Sequence, residues 1–368
     1  MITLIRSLAV AVGVAWWGCA LAQSKYIQAV DEYRPAPGQY INDVPLYEEG
    51  DTPETMARKC TELLANDARH LVSLGGWGGY ITFHFDHPIY NVSGQRDFAI
   101  WGNAYQEYKN IVYGGMNEAG IVMVSRDDNQ NGLPDDTWYE LRGSCDEDSV
   151  GKVDYSYEIT YHQNPMGNIP WTDNRGESGT IDRNRWHLQE YYPQWLPDGL
   201  TFSGTRLPRN GWDSDHTGTY WVLISFRWGY ADNHPNTLSD FETPDTEGCG
   251  FDISWAVDEN RQPVSLDHID FVRVYTGLNQ KCGWLGETST EIQGAEDLHL
   301  EASLQAAEAA QKAAEEAAQK AAEEAAACKA IVADNGHRSR QTYSLNGWKA
   351  NGTKTGNIYV KGQKKYIK

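Results

Sequence analysis

The stretch Ile81-Thr82-Phe83-His84-Phe85-Asp86 indicates the fold class of this chain. Apolar side chains at 81, 83 and 85 alternate with polar ones, and this period of two is typical of a strand with one buried face. Similar strand signals occur at 121–124, 155–161, 221–228 and 269–275, with long loops rich in Gly, Asn, Asp and Pro between them. The sequence therefore predicts a mainly β body, a jelly roll or β-sandwich with long loops.

Helical signals flank this β-rich stretch. Near its start, Thr52 as N-cap and Pro53 in the first turn predict a short helix. After it, residues 296–336 form an Ala/Glu/Lys-rich segment, and these residue types are strong helix formers. About 30 helical residues would extend roughly 45 Å, at ~1.5 Å per residue, as a spacer.

The N-terminus has the pattern of an export signal. Arg6 precedes an apolar run over 8–17, and Ala20-Leu21-Ala22 forms an A-x-A cleavage site before Gln23. Residues 1–22 are therefore predicted to be a signal peptide and 23–295 the body. Cys19 leaves a lipoprotein signal as the alternative. No other segment is apolar enough to span a membrane, so we expect none in the mature chain.

Charge and cysteine content narrow the class of protein further. The net charge is −20, and an acidic body argues against nucleic-acid binding, which needs a basic footprint. The basic residues concentrate in the tail, where 337–368 hold eight Lys or Arg and no acid. An exported compartment permits disulfides. The four body cysteines allow at most two bridges in three connectivities; they are Cys60, Cys145, Cys249 and Cys282.

An acidic loop over 127–136 predicts a calcium site. Three side chains follow the 1, 3, 5 spacing of a calcium loop, and Gly132 occupies position 6, where such a loop turns sharply. Trp138 stands where an EF-hand has its last Glu, so the loop is not an EF-hand. An acidic turn without an ion is the alternative. The predicted Ca²⁺ ligands are Asp127, Asn129, Asn131, Asp135 and Asp136.

Two aromatic-rich loops are the predicted ligand site. Aromatic rings beside Asp, Asn and Arg suit a carbohydrate, because rings stack on the apolar face of a sugar and polar groups bind its hydroxyls. The alternative is that these rings cover a small secondary core. The predicted ligand-binding residues are Trp171, Asp173, Asn174, Arg175, Tyr191, Tyr192 and Trp195.

Three further groups of polar residues have simpler interpretations. His84, Asp86 and His87 are expected to form a polar strand face rather than a metal site. The oxygen-rich region 232–236, with Asp240, Asp245 and Asp252, fits turn chemistry or a second cation. No pair of carboxylates stands out for hydrolysis, so no catalytic residue is predicted. The candidates considered are Glu118, Glu140, Glu158, Glu177 and Glu190.

Two parts of the chain resemble known families. The tail pattern, Tyr-x-Leu-Asn-Gly at 343–347 and Gly-x-Ile-Tyr-Val at 356–360 before a Lys-rich end, resembles the sorting domain of type IX secretion substrates. Residues 121–141 resemble the strand–loop–strand hairpin of discoidin-like (galactose-binding-like) jelly rolls, with the acidic loop as an insertion. Residues 74–292 are similar to secreted "cell surface protein" families, through phrases at 97–104 and 269–275.

These observations together predict an exported, calcium-binding β-sandwich at the cell surface or outside the cell. The resemblances imply display at the outer membrane or in a surface assembly, with the helix as spacer and 337–368 as a sorting or anchoring tail. We expect it to bind a ligand without catalysis, a carbohydrate first, and a nutrient cofactor or a protein next. A secreted carboxylate-dependent hydrolase of the glycoside hydrolase type and a structural adhesin are the alternatives.

Overall fold

The computed structural model describes residues 23–107, 114–148, 151–236 and 248–338, together with short strands at 343–344, 358–361 and 364–367. Side chains are described as far as residue 326. The predicted signal peptide, with Cys19, lies outside the described residues. So do Asp240, Asp245 and the side chain of Cys328.

The body consists mainly of β-strands, as the alternation predicts. Its strands are β1 (Ala29–Arg34), β2 (Val72–Ser73), β3 (Tyr80–Tyr90), β4 (Phe98–Trp101), β5 (Tyr105–Glu107), β6 (Gly114–Met116), β7 (Gly120–Ser125), β8 (Trp138–Leu141), β9 (Asp154–Tyr161), β10 (Ile169–Asp173), β11 (Ser178–Ile181), β12 (Leu200–Arg206), β13 (Gly211–Asp213), β14 (Trp221–Leu223), β15 (Gly250–Phe251), β16 (Ala256–Val257), β17 (His268–Thr276), β18 (Glu291–Ile292) and β19 (Gly294–Asp297). Short 3₁₀ turns occur at Ser144–Asp146, Ile253–Trp255 and Gly283–Leu285.

The largest sheet has six antiparallel strands in the order β1-β3-β17-β7-β8-β16. In β3, Ile81, Phe83 and Phe85 are buried, as their spacing predicts. β17 lies at the centre, because Val272 pairs with Phe83 on one side and with Val124 on the other. Segments nearly 200 residues apart in sequence thus become neighbours in one sheet.

The remaining body strands form smaller sheets, so the jelly-roll part of the prediction was wrong. The orders are β11-β10-β9-β12, β13-β14-β6-β5, β15-β4-β19 and β18-β2. With the six-stranded sheet this makes four sheets of three or more strands, closer to a four-bladed propeller than to a jelly roll. Many strands have only two to four residues, so two long facing sheets do not form.

Aromatic packing joins the six-stranded sheet to the β9–β12 sheet. Trp77 is 1% exposed, and its ring meets Tyr157 edge-on at a centroid distance of 4.7 Å. Tyr80 meets Phe202 in the same way at 6.4 Å. Such edge-to-face pairs add to the apolar area that each ring buries. The 14 Trp and 21 Tyr of the chain therefore serve partly as core residues.

Helix α1 (Pro53–Leu64) confirms the helix predicted near the start of the body. The Thr52 hydroxyl accepts a hydrogen bond from the backbone N–H of Thr55, and the Thr55 hydroxyl accepts one from the Thr52 N–H, so the cap is reciprocal. Met56 and Leu64 are among the side chains that the helix buries. Cys60, Cys145, Cys249 and Cys282 are all buried, and no disulfide joins any two of these described residues.

The chain divides into two compact units, Met1–Leu304 and Gln305–Lys368. Helix α2 (Leu300–Arg338) agrees with the Ala-rich prediction within two residues at its end. In the tail, β20 (Tyr343–Ser344), β21 (Ile358–Lys361) and β22 (Lys364–Ile367) form a sheet in which β21 and β22 pair as a hairpin. In the described part of the chain, no helix combines the length and the apolarity needed to cross a bilayer.

Candidate functional site

A cleft of about 690 Å³ in the body collects carboxyl groups and exposed aromatic rings. Glu118, Glu287 and Glu291 line it, and Asp232 lies behind Glu291. We call this the acidic cleft. The carboxyl groups come from three separate regions of the chain, so the tertiary fold assembles the site.

Strand pairing places Glu291. It opens β18, which pairs with β2 so that Glu291 lies opposite Ser73. The Ser73 hydroxyl donates to Glu291 Oε1 at 3.1 Å and also contacts the Ser289 hydroxyl at 2.8 Å. These contacts hold the carboxyl group at one wall of the cleft.

Glu118 lies between β6 and β7, against the segment that leads into β18. The Thr290 hydroxyl donates to the Glu118 carbonyl at 2.7 Å, and the Ser289 N–H donates to Glu118 Oε1 at 3.3 Å. Gly120 permits this approach, because a Cβ there would lie 2.6 Å from Thr290 Cγ2. A side chain at 120 would therefore push the two carboxyl-bearing segments apart.

Asp232 forms the floor behind the cleft. Its Oδ1 accepts the N–H groups of Asn103 at 2.8 Å and Ala104 at 2.9 Å, and its Oδ2 accepts the Glu291 N–H at 2.9 Å. Its φ of +52° is unusual for a residue with a side chain, and such backbone strain clusters at functional sites. Gly102 leaves room for the carboxyl group, since a Cβ there would lie 2.4 Å from Asp232 Oδ1.

Burial shifts the ionisation of these carboxyl groups. One oxygen each from Glu118, Asp232 and Glu291 lie within 4.8 Å of one another. Burial raises the pKa of Glu118, and the charges of Glu291 and Asp232 raise it further. Burial raises the pKa of Glu291 to about 7. Three negative charges cannot share so small a space, so at neutral pH the cluster holds protons or a cation.

Glu287 is a fourth buried carboxyl group in the cleft wall. Its Oε1 accepts the Gln39 N–H at 2.5 Å, whereas its buried Oε2 has no hydrogen-bond partner among the described residues. Burial raises the pKa of Glu287 to about 7. Perturbed carboxyl groups in a cleft are typical of functional sites, although structural networks also perturb pKa values.

Large aromatic side chains line the mouth of the cleft. Tyr40, Tyr105, Trp186 and Trp284 line it and are 39%, 52%, 66% and 56% exposed. The Tyr40 hydroxyl lies 3.1 Å from His187 Nε2. Exposed rings gathered at one opening, rather than scattered, indicate a binding surface.

The structure brings the five predicted calcium ligands together in one loop. Asp127 accepts the backbone N–H groups of Asn131 at 3.1 Å and Gly132 at 2.7 Å. The side-chain amides of Asn129 and Asn131 reach Asp135 at 3.1 to 3.2 Å. Asp136 lies 3.5 Å from the Asn129 N–H. Gly132 has a φ of +73°, as the predicted turn requires.

The seven predicted ligand-binding residues separate into three environments. Tyr191, Tyr192 and Trp195 are buried in the core, so their ring faces are not open to a ligand; they match the secondary-core alternative. Trp171 is half-buried and lines a second cavity.

The polar members form a turn. Asp173 Oδ1 accepts the N–H groups of Arg175 and Glu177 at 2.9 and 2.7 Å. The exposed Asn174 donates its amide to Ser156 O at 2.9 Å. Arg175 pairs with Asp154 at 2.7 Å.

The His-Asp cluster of β3 is divided between two pairs. His84 Nδ1 lies 2.9 Å from Asp31, on the partly exposed face of the strand. His87 is buried between Asp86, 2.6 Å from its Nδ1, and Asp297, 2.9 Å from its Nε2. These contacts account for the cluster as structural pairing, with His84 on the partly exposed face and His87 buried.

The second oxygen-rich region serves mostly to hold the backbone. Asn233 donates to Phe226 O at 2.7 Å, and Asn236 donates to Gly102 O at 2.6 Å. The Asp252 side chain caps a 3₁₀ turn. Only Asp232 among its described members reaches the candidate site.

Sequence reasoning missed Glu287 and Glu291, and it considered Glu118 only as one of several carboxylates. Alternation gave no signal for them, because every residue from 287 to 291 is polar. Glu140, another candidate, pairs with Arg261 at 2.6 Å outside the cleft.

Comparisons with known proteins do not assign the chain to a family. No model of a protein family matches it. A search of curated proteins likewise finds no match. The function is therefore argued from the site.

Proposed function

We propose that the protein is exported to the cell surface and binds a carbohydrate in the acidic cleft without transforming it. The observation that carries this proposal is the set of four exposed aromatic side chains around buried carboxyl groups. The volume of about 690 Å³ lies in the usual range for small-ligand sites.

A sugar matches both parts of this surface. Its C–H face stacks on exposed rings such as Trp186 and Trp284, which are fixed at low conformational cost. Its hydroxyl groups would hydrogen-bond to carboxyl and amide groups in the wall, among them Glu118, Asn103 and Asn184. A purely apolar ligand would leave these polar groups unpaired, which disfavours it.

Carboxyl spacing favours binding over hydrolysis. In glycoside hydrolases the two carboxyl groups flank the bond at about 5 to 9.5 Å. One oxygen of Glu118 and one of Glu291 lie within 4.8 Å of each other, just below that range. Hydrolysis is the second candidate, because Glu287 and Glu291 have pKa values of about 7, near the optimum for an acid–base group at neutral pH.

The binding proposal is tested by titrating the protein with a panel of neutral oligosaccharides and following tryptophan fluorescence and calorimetry. Trp186→Ala and Trp284→Ala should each weaken the best binder by roughly tenfold, the loss of one stacked ring. Trp212→Ala is the matched control, because Trp212 is 49% exposed but does not line the cleft. Equal affinities for all four proteins would refute the site.

The hydrolase alternative has a separate readout. The same oligosaccharides are incubated with the protein and new reducing ends are measured. Release that is abolished by Glu291→Gln would replace the binding proposal by the enzyme. Binding without release, retained in that variant, would support the proposal as stated.

Calcium in the 127–136 loop remains part of the proposal. Carboxylate and amide oxygens are the ligands that Ca²⁺ prefers, and the loop contributes five such side chains. The Asn129 and Asn131 amides now point nitrogen atoms at Asp135, but amide O and N assignments exchange readily, and the exchanged oxygens would face a cation. The site's chemistry therefore fits Ca²⁺.

Display at the surface rests on the ends of the chain. The signal-like N-terminus supports export, and the basic tail resembles a type IX sorting domain. Mass spectrometry of the secreted protein tests both ends, since cleavage before Gln23 and loss of 337–368 would give defined masses.

A further inference from the structure

A second cavity, of about 610 Å³, differs from the acidic cleft in carrying basic side chains. Its lining includes four of them, Lys152, Arg206, Arg209 and Lys281, beside three carboxyl groups, Glu177, Asp182 and Glu287. We call it the basic pocket. The chain carries a net charge of −20, so a concentration of cations at one concave surface is unexpected for a merely solvated face.

Ion pairing uses only part of this positive charge. Lys281 contacts Asp182, and Arg206 lies 3.0 Å from Asp154 and 3.9 Å from Glu177. Arg209 and Lys152 form no ion pair with any of the described residues. Two cations at the pocket are thus available to an incoming anion.

Arg209 is held at the rim of the pocket by a single backbone contact. Its Nη2 donates to Lys281 O at 3.3 Å, which leaves most of the guanidinium donors free. A planar guanidinium binds a carboxylate or phosphate through two parallel hydrogen bonds. Lys152 supplies the second cation of the pocket that has no ion-pair partner among the described residues.

Trp171 gives the pocket an aromatic side. It lies on β10 opposite Gly179 of β11, and a Cβ at 179 would lie 2.5 Å from the indole ring. The glycine therefore lets the ring lie against the backbone, which fixes its position. A fixed ring beside unpaired cations suits a ligand with an anionic group and a flat apolar face.

We propose that the basic pocket binds an acidic sugar, or another small oxyanion, through Arg209 and Lys152, with Trp171 as the stacking surface. The acidic cleft need not bind anything for this to hold. Glu287 lines both cavities, so the two sites adjoin.

The test is calorimetric titration of the whole protein with D-galacturonate, D-galactose and inorganic phosphate. Galacturonate should bind at least about tenfold more tightly than galactose, because only it engages the guanidinium. The affinity should fall as salt rises from about 0.05 M to about 0.3 M, since exposed charges are screened. Phosphate binding as tight as galacturonate would assign the pocket to free oxyanions rather than to sugars.

Variants distinguish this pocket from the acidic cleft. Arg209→Gln should lower galacturonate affinity about tenfold and remove most of the salt dependence. Arg58→Gln is the matched control, because Arg58 is an exposed arginine on α1 outside the pocket. Unchanged affinity in Arg209→Gln would overturn the inference. So would loss of galacturonate binding in Trp284→Ala, which would place the ligand in the acidic cleft.

Discussion

Replacement of the buried Glu287 by glutamine should make the protein more stable at alkaline pH but not at acid pH. Burial raises the pKa of Glu287 from 4.5 to about 7, so the folded state holds a proton that the unfolded state has already lost over that range. Stability from this group is therefore present at low pH and is lost as the pH rises from 4.5 towards 7.

The magnitude follows from the pKa values. Each pKa unit corresponds to about 1.4 kcal/mol, so the whole change is about 3 kcal/mol, of which about 2.5 kcal/mol falls between about pH 5 and about pH 8. Glutamine resembles the protonated carboxyl group, because its oxygen can still accept the Gln39 N–H. Glu287→Gln should thus gain about 2.5 kcal/mol relative to the native chain on going from pH 5 to pH 8.

Urea denaturation at the two pH values measures this difference directly. In thermal melting, the melting temperature of Glu287→Gln relative to the native chain should rise by roughly 5 °C between about pH 5 and about pH 8. Glu49→Gln serves as the control, because Glu49 is exposed and its carboxyl group has no partner among the described contacts. If Glu287→Gln changes the unfolding free energy equally at both pH values, ionisation of the buried Glu287 carboxyl group does not lower the stability of the native protein.

Three further perturbations test other parts of the molecule. Excess EGTA should lower the melting temperature, and Asp127→Ala should abolish that response; an unchanged melting temperature would make the loop an acidic turn. His87→Gln should cost more stability at about pH 5.5 than at about pH 8 in urea titrations. Burial lowers the pKa of His87, but its two carboxylate partners outweigh this and raise it, so its contribution is lost as the pH rises through the folded-state pKa. A pH-independent cost would contradict this. Gly120→Ala should destabilise the protein by about 1–3 kcal/mol, because the new Cβ meets Thr290 at 2.6 Å. An unchanged urea midpoint would show that the segments can move apart.

The elements that could be predicted from sequence are those that depend on local chemistry. The alternation in β3, the cap of α1 and the Ala-rich helix α2 are set by neighbours within a few residues. The 127–136 loop belongs with them, because its five polar side chains are close in sequence and the turn at Gly132 gathers them.

The ligand-site prediction depended on information that local sequence does not carry. Trp186 and Trp284 are exposed, whereas Tyr191, Tyr192 and Trp195 are buried, although all lie outside the strands. Whether a ring faces solvent is decided by which distant strand packs on it. Composition therefore could not predict which of these rings are buried and which are open to a ligand.

The sequence by itself determined the mainly β class, the helices and the acidic loop, since each follows from periodicity or spacing over a short stretch. Only the tertiary structure decided that Glu118, Asp232 and Glu291 meet, because the pairing of β18 with β2 and the contact of Thr290 with Glu118 join segments far apart in the chain. Their raised pKa values are also a tertiary property, because burial among other carboxyl groups, and not residue type, disfavours the charged form.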